Sequence, residues 1–267
     1  MVHKTVSVII EMTENEQSPA HIELPDEFIQ CLKTAKRLVV LTGAGVSAES
    51  GLPTFRGPEG MWKQYRPEEL ANLDAFMRDP VVVWEWYDWR RGLVANAKPN
   101  VAHYAIARLE ELFESFLLIT QNVDNLHAVA GNENIVELHG NIWFTRCLKE
   151  GTVRENRETP LHEIPPRCPT CGSIERPHIV WFGEFIDGAM LDKAWKGSAK
   201  ADLFISVGTS GGIQPAAGMS GMPRNGGAYT LDINLEKTPL YYTANHTVEM
   251  SSGIVLPEIV KMVESYR

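Results

Sequence analysis

RLVVLTGAGVSAESGLPTFRG, residues 37–57, is the stretch on which the fold turns. Arg37 to Thr42 is a continuous aliphatic run, the pattern of a strand buried on both faces of a parallel sheet. GAGVSA (43–48) follows at once and fits G-x-G-x-x-A. In that pattern Gly43 permits a tight turn, Gly45 lets the backbone approach a pyrophosphate, and the small Ala48 allows close packing. Taken alone, the motif reads equally well as a plain tight turn. An ordinary dehydrogenase continues into a long helix and a second strand ending in Asp or Glu about 20 residues on. Here the chain instead enters a Pro- and Gly-broken loop, LPTFRGPEGMW (52–62), bearing Phe55 and Arg56. Hydride transfer loses ground at that point.

Further buried runs stand at FLLIT (116–120), NIVELHG (134–140), HIVWFGE (178–184), DLFISVGTS (202–210) and AYTLDINLE (228–236), each reading as a strand. Helical patterns lie between and around them, over Asp26–Lys36, Pro80–Ala97, Asn100–Phe113, Asp187–Ala201 and Pro257–Tyr266. The alternation predicts an α/β fold, a Rossmann-like parallel sheet with a smaller module formed by two insertions, one helical and one zinc-ribbon-like. Residues 26–50, 100–143 and 178–267 are assigned to the sheet domain, 51–99 to a loop and helical module, and 144–177 to a small cysteine-containing module. Residues 1–25 read as a flexible tail. Polar clusters at 43–51, 121–127, 208–214 and 234–236 follow four strands, so all four are expected to face one crevice at the sheet's carboxyl edge.

The composition narrows the function classes. With 25 Lys+Arg against 34 Asp+Glu in 267 residues, the net charge of −9 lacks the basic footprint of a nucleic-acid binder. It leaves room for a basic partner such as a lysine-bearing peptide. No apolar run approaches the roughly 18 residues of a membrane span. The opening segment has a short apolar patch, Val6 to Ile10, without the features of a signal peptide. Of four cysteines, Cys147, Cys168 and Cys171 cluster, which points to metal chemistry in a reducing compartment. A cytoplasmic, monomeric protein that binds neither membrane nor nucleic acid is expected.

TQNVDNLH (120–127) sets Gln121, Asn122 and Asp124 just past a strand. These residues serve either as a helix cap or as amides and a carboxylate aimed at a ribose or a nicotinamide carboxamide. ELHG (137–140) puts His139 at another strand end beside a glycine. It is either structural or a general base, since the ordinary imidazole pKa of about 6.5 lies near operating pH.

With these segments assembled, the sequence resembles a sirtuin, an NAD-dependent protein-lysine deacylase. The resemblance rests on GAGVSAESGLPTFRG (43–57), TQNVDNLH (120–127), ELHGN (137–141), CPTCG (168–172), VWFGE (180–184), VGTS (207–210) and INLE (233–236), in the family's order. It implies that NAD lies against Gly43, Ala44, Gly45, Glu49, Thr54 and Trp62, with Phe55 and Arg56 closing over it. Gln121, Asn122 and Asp124 would hold the nicotinamide ribose and carboxamide, with Asn122 and Asp124 also taking part in catalysis. Gly208, Thr209 and Ser210 would meet phosphate and ribose, and Asn234 and Glu236 the adenosine side. His139 would be the general base that passes the acyl group to ADP-ribose and frees lysine. Val180, Trp181, Phe182, Gly183 and Glu184 would pair with the substrate backbone as an added strand.

Two departures from the common pattern follow. The loop reads Pro53-Thr54-Phe55-Arg56, not P-D-F-R, and WEWYDWRR (84–91) stands downstream. Both resemble the branch that removes succinyl, malonyl and glutaryl groups. Tyr87 and Arg90 match its acyl-carboxylate pair, and i, i+3 spacing puts them on one helix face. The metal site keeps the pair Cys168 and Cys171, but Cys147 is followed by Glu150 where a second thiolate belongs. A structural zinc ion would take Glu150 or His162 as its fourth ligand, or the module would hold on packing alone. Two other classes stay open: an NAD-cleaving ADP-ribosyltransferase or glycohydrolase, and a non-enzymatic NAD-sensing module.

Overall fold

The computed structural model describes residues 5–9, 21–54 and 65–267. Phe55, Arg56 and Trp62 lie outside the described residues. In chain order the strands are β1 (Thr5–Ile9), β2 (His21–Pro25), β3 (Arg37–Thr42), β4 (Ser115–Thr120), β5 (Ile135–Glu137) and β6 (Gly140–Cys147). They continue with β7 (Val153–Glu155), β8 (Glu175–Ile179), β9 (Leu203–Val207), β10 (Tyr229–Asn234) and β11 (His246–Glu249). The main sheet runs β11-β10-β9-β3-β4-β5, with every pairing parallel. This is the doubly wound Rossmann order that the alternating pattern predicts.

The alternation along β3 explains the layers. Leu38 and Val40 pack with Phe28, Leu32, Ile106, Leu109, Leu256 and Ile259, so one face is covered by the helices Asp26–Thr34, Val101–Leu112 and Ser252–Tyr266. Val39 and Leu41 point the other way, onto Ala194 of the Gly188–Lys200 helix and Met219. A separate core holds Phe76, Trp84, Trp86 and Tyr87 together with Ile142 and Trp143 of β6 and Trp181. It joins the helical module to the antiparallel sheet β7-β6-β8, which carries the cysteines.

Three sequence expectations shift. The tail assigned to residues 1–25 gives way at its end to β2, whose Ile22 and Leu24 are fully buried in the main core. β1 pairs with it antiparallel. The strand expected over 178–184 in the sheet domain is β8, which stops at Ile179 and pairs with β6 in a smaller antiparallel sheet. Beyond it the chain turns at 181–184, where the Glu184 N–H donates to Trp181 O at 2.9 Å and Gly183 takes φ +86°. The last helix begins at Ser252, and Pro257 sits inside it instead of opening it.

The strand order reverses between β3 and β9, and there the two following loops touch. The Gly45 N–H donates to Gly208 O at 2.9 Å. A Cβ on Gly45 would lie 2.7 Å from Gly208 Cα and 2.8 Å from its carbonyl oxygen. Gly208 itself sits at φ +57°. Gly45→Ala is therefore expected to cost about 1–3 kcal/mol through overpacking against backbone that cannot give way. Urea unfolding measures this, and an unchanged midpoint would contradict the contact.

Candidate active site

A cleft of about 870 Å³ opens at this crossing. It is lined by Gly43, Ala44, Gly45, Thr54, Gln121, Asn122, His139, Gly208, Thr209, Ser210, Asn234 and Glu236, all singled out in the sequence. Tyr87, Arg90 and the Val180–Glu184 segment form its other wall. All four polar strand-end clusters thus contribute to one site.

His139 is fixed by a hydrogen bond of 3.0 Å between Nδ1 and the Gln121 carbonyl oxygen. A carbonyl only accepts, so Nδ1 carries the proton and Nε2 is the basic nitrogen. Burial pushes the imidazole below its ordinary pKa of 6.5, against the opposing pull of that carbonyl. At neutral pH it is an unprotonated base. Gln121 in turn donates through Nε2 to Thr209 Oγ1 at 2.8 Å, tying the loop after β4 to the loop after β9. Asn234 Nδ2 donates to Thr209 O at 2.8 Å from the next strand.

Beneath the cleft lies a buried polar layer in which Asn122 and Asp124, named from the sequence, join Ser47, His103 and His127, which the sequence reading did not single out. Ser47 Oγ accepts from Asn122 Nδ2 at 3.1 Å and donates to Asp124 Oδ2 at 2.8 Å. Asp124 also accepts from the Leu126 N–H at 2.9 Å. Asp124 borders a smaller inner cavity with Asn122, Ala44, Thr54 and Arg90 and is not among the residues lining the main cleft. The His103 and His127 rings lie 4.7 Å apart, tilted by 51°, and His127 Nε2 lies 3.0 Å from Thr42 Oγ1. Burial lowers His103 to about 4 and His127 well below its ordinary value, so both are neutral. The available signal was Ser47 itself, a polar residue in a turn otherwise built of small apolar ones.

Two assignments change in kind. Glu49 lines the cleft, but its carboxylate accepts from Ser251 Oγ at 2.6 Å and from the Gly253 N–H at 3.2 Å. It caps the terminal helix, where backbone N–H groups lack partners. The Val180–Glu184 segment is not an open strand edge. The N–H groups of Val180, Phe182 and Glu184 donate to His139 O, Ala71 O and Trp181 O, and that of Trp181 donates to Glu184 Oε2 at 2.9 Å. Arg176 holds Glu184 in a two-pronged pair at 2.5 and 2.8 Å and stacks 3.6 Å over the Trp181 ring. A peptide lying along this segment meets mainly its carbonyl oxygens.

On the facing helix, Tyr87 is buried, and its Oη accepts from Trp181 Nε1 at 2.8 Å. Burial pushes the phenol up to about 12, so it keeps its proton and can donate it. Arg90 stands 5.2 Å from the Trp86 ring. Burial lowers its pKa, and the Tyr87 oxygen and the Asp124 carboxylate oppose that shift.

The comparisons with known proteins agree with this geometry. The Sir2 family model matches residues 43–215. A Caldanaerobacter subterraneus subsp. tengcongensis protein named NAD-dependent protein deacylase 1 is 52% identical over 80% of this chain and 88% of its own. The chain belongs to the Sir2 family. A crystal structure of a Sir2 homolog–NAD complex superimposes with a TM-score of 0.85 at 45% identity, covering 90% of this chain and 94% of that one. A Sir2 complex with a p53 peptide and NAD+ gives a TM-score of 0.80 at 31% identity, covering 88% and 97%.

The family's metal site is tested by the donor set. The ligand atoms of Cys147, Glu150, Cys168 and Cys171 all lie within 4.8 Å of one another. A tetrahedron with bonds of about 2.3 Å has edges of about 3.8 Å, so three thiolates and a carboxylate fit zinc. His162 does not belong to this group. We expect about one zinc per chain by elemental analysis, with Cys171→Ser lowering both metal content and melting temperature. A metal-free chain whose Cys171→Ser variant melts unchanged would contradict the site.

Proposed function

We propose that this chain is an NAD-dependent protein-lysine deacylase that removes acidic acyl groups (succinyl, malonyl, glutaryl) as well as acetyl. The observation that carries the acyl preference is the pair Tyr87 and Arg90, placed on the wall of the cleft that also holds His139. Tyr87 spends its oxygen lone pair on Trp181, which leaves its hydroxyl proton for an acyl carboxylate. Arg90 supplies a planar cation in a half-buried setting, where pairing with a carboxylate is strong. In the family reading the acylated lysine of a protein enters between this helix and Val180–Glu184.

When bound, NAD supplies a ribose carbon that takes the acyl oxygen as nicotinamide leaves. Ser47 holds Asn122 in place for that ribose and bonds Asp124 in the layer beneath, and Gln121 and Asn234 fix Thr209 at the phosphate end. His139 Nε2 then removes a proton from a ribose hydroxyl, while Gln121 O keeps the ring in the correct tautomer.

His139→Ala should abolish turnover and leave NAD binding largely intact, as calorimetry would show. Because burial holds the imidazole below 6.5, kcat/KM should stay flat down to that pH. It should fall only below it, as the base protonates. An acid limb centred above 6.5 would contradict the assignment. Arg90→Met should lower succinyl-lysine kcat/KM on the order of a hundredfold or more, since an unpaired carboxylate is left in the cleft. Acetyl-lysine activity should change far less. Equal loss on both peptides would make Arg90 structural, and nicotinamide release without free lysine would point to transfer or hydrolysis.

A further inference from the structure

The Pro80–Asn96 helix has two working faces. Trp84, Asp88 and Arg91 recur at i, i+4 and i+7, one stripe. Tyr87 and Arg90 lie about a quarter-turn round from it. Every residue of the stripe reaches the cysteine-bearing module. Trp84 Nε1 donates to Glu175 O in β8 at 2.7 Å. Asp88 Oδ1 accepts from the Leu161 N–H at 2.9 Å. Arg91 Nη2 donates to Asn156 Oδ1 at 2.9 Å and to the Asn156 carbonyl oxygen.

Arg91 is the informative member. Its side chain is fully buried, and Nε and Nη1 have no hydrogen-bond partner among the described residues. Burial brings it down to about 10, opposed by the charges of Asp88 and Glu158. Its hydrogen bonds within the described chain therefore go to a single residue of the module, Asn156. A buried cation held this way fixes the helix's rotation against the module, because any turn would break contacts that nothing else replaces. Trp143 of β6, at 5.4 Å from the guanidinium, closes the same face.

We propose that the cysteine module is a specificity element: through Trp84, Asp88 and Arg91 it sets the rotation of the helix that presents Tyr87 and Arg90 to the acyl group. Asp88 and Arg91 are thus positioning residues for acyl selectivity, though neither lines the cleft. This rests on the reading of Tyr87 and Arg90 as the acyl-carboxylate pair.

The test uses the full chain with succinyl- and acetyl-lysine forms of one peptide at saturating NAD. Asp88→Ala removes the acceptor for Leu161, and Arg91→Met removes the buried charge while keeping its stem. Asp88→Asn keeps an oxygen acceptor and serves as the conservative control. We expect Asp88→Ala and Arg91→Met to raise the succinyl-peptide KM about tenfold. Acetyl-peptide KM, NAD KM and kcat should stay within about twofold, and Asp88→Asn should restore the wild-type succinyl-to-acetyl ratio. Equal loss on both peptides, or no change in the ratio, would overturn the proposal. Arg90→Met run alongside separates the two failures. If it loses succinyl activity selectively while Asp88→Ala does not, only this inference falls. If Arg90→Met is itself unselective, the underlying reading falls and takes this one with it.

Discussion

The contact between the loop after β3 and the loop after β9 is the constraint on which the site depends. Gly45 and Gly208 meet backbone to backbone, closer than any side chain would permit. That closeness lets a parallel sheet reverse its winding with the carboxyl ends of β3 and β9 adjacent. A crevice at such a reversal receives one loop from each side. Gln121 from β4 and Asn234 from β10 then both reach Thr209, so four strand ends are tied into one rigid floor.

The floor stays polar although it is buried. Ser47, Asn122 and Asp124 satisfy one another, and Thr42 bonds both Thr120 and His127. A buried network of this kind fixes unique side-chain positions when its members are paired. The two neighbouring histidines, their rings tilted by 51°, remain neutral because the site is desolvated. His127 Nδ1 has no hydrogen-bond partner among the described residues.

The wall opposite the floor is built by a helix whose position is decided elsewhere. Its aromatic residues share a core with β6 and Trp181, and its polar stripe is bonded to the cysteine module. The candidate metal ligands Cys147, Glu150, Cys168 and Cys171 sit together in that module, so a small insertion supports this wall of the cleft from outside it. Arg176 does the same for the other side, bracing Trp181 and Glu184 beneath the peptide segment.

The sequence by itself determined the inventory and its order. Aliphatic runs followed by polar clusters located five of the six strands of the doubly wound sheet and the residues at their ends, whereas the short edge strand β11 (His246–Glu249), beyond the run 228–236 read as the last strand, escaped it. The family resemblance picked out Tyr87 and Arg90, and their i, i+3 spacing put them on one helical face. Burial of Ile22 and Leu24 and the turn after Ile179 escaped it, because a short alternating segment reads alike as edge, tail or strand. Tertiary structure alone decided that Glu49 caps a helix 202 residues away, that Asp124 is bonded to Ser47 in the buried layer, and that Nδ1 of His139 is the nitrogen engaged by the Gln121 carbonyl. It also decided that the N–H groups of Val180, Trp181, Phe182 and Glu184 are already engaged, and that Arg91 spends its hydrogen bonds on Asn156. The physical reason is common to all of these. Periodicity and capping are local properties written in neighbouring residues, whereas a hydrogen bond's partner and a group's desolvation depend on which distant segments pack against it.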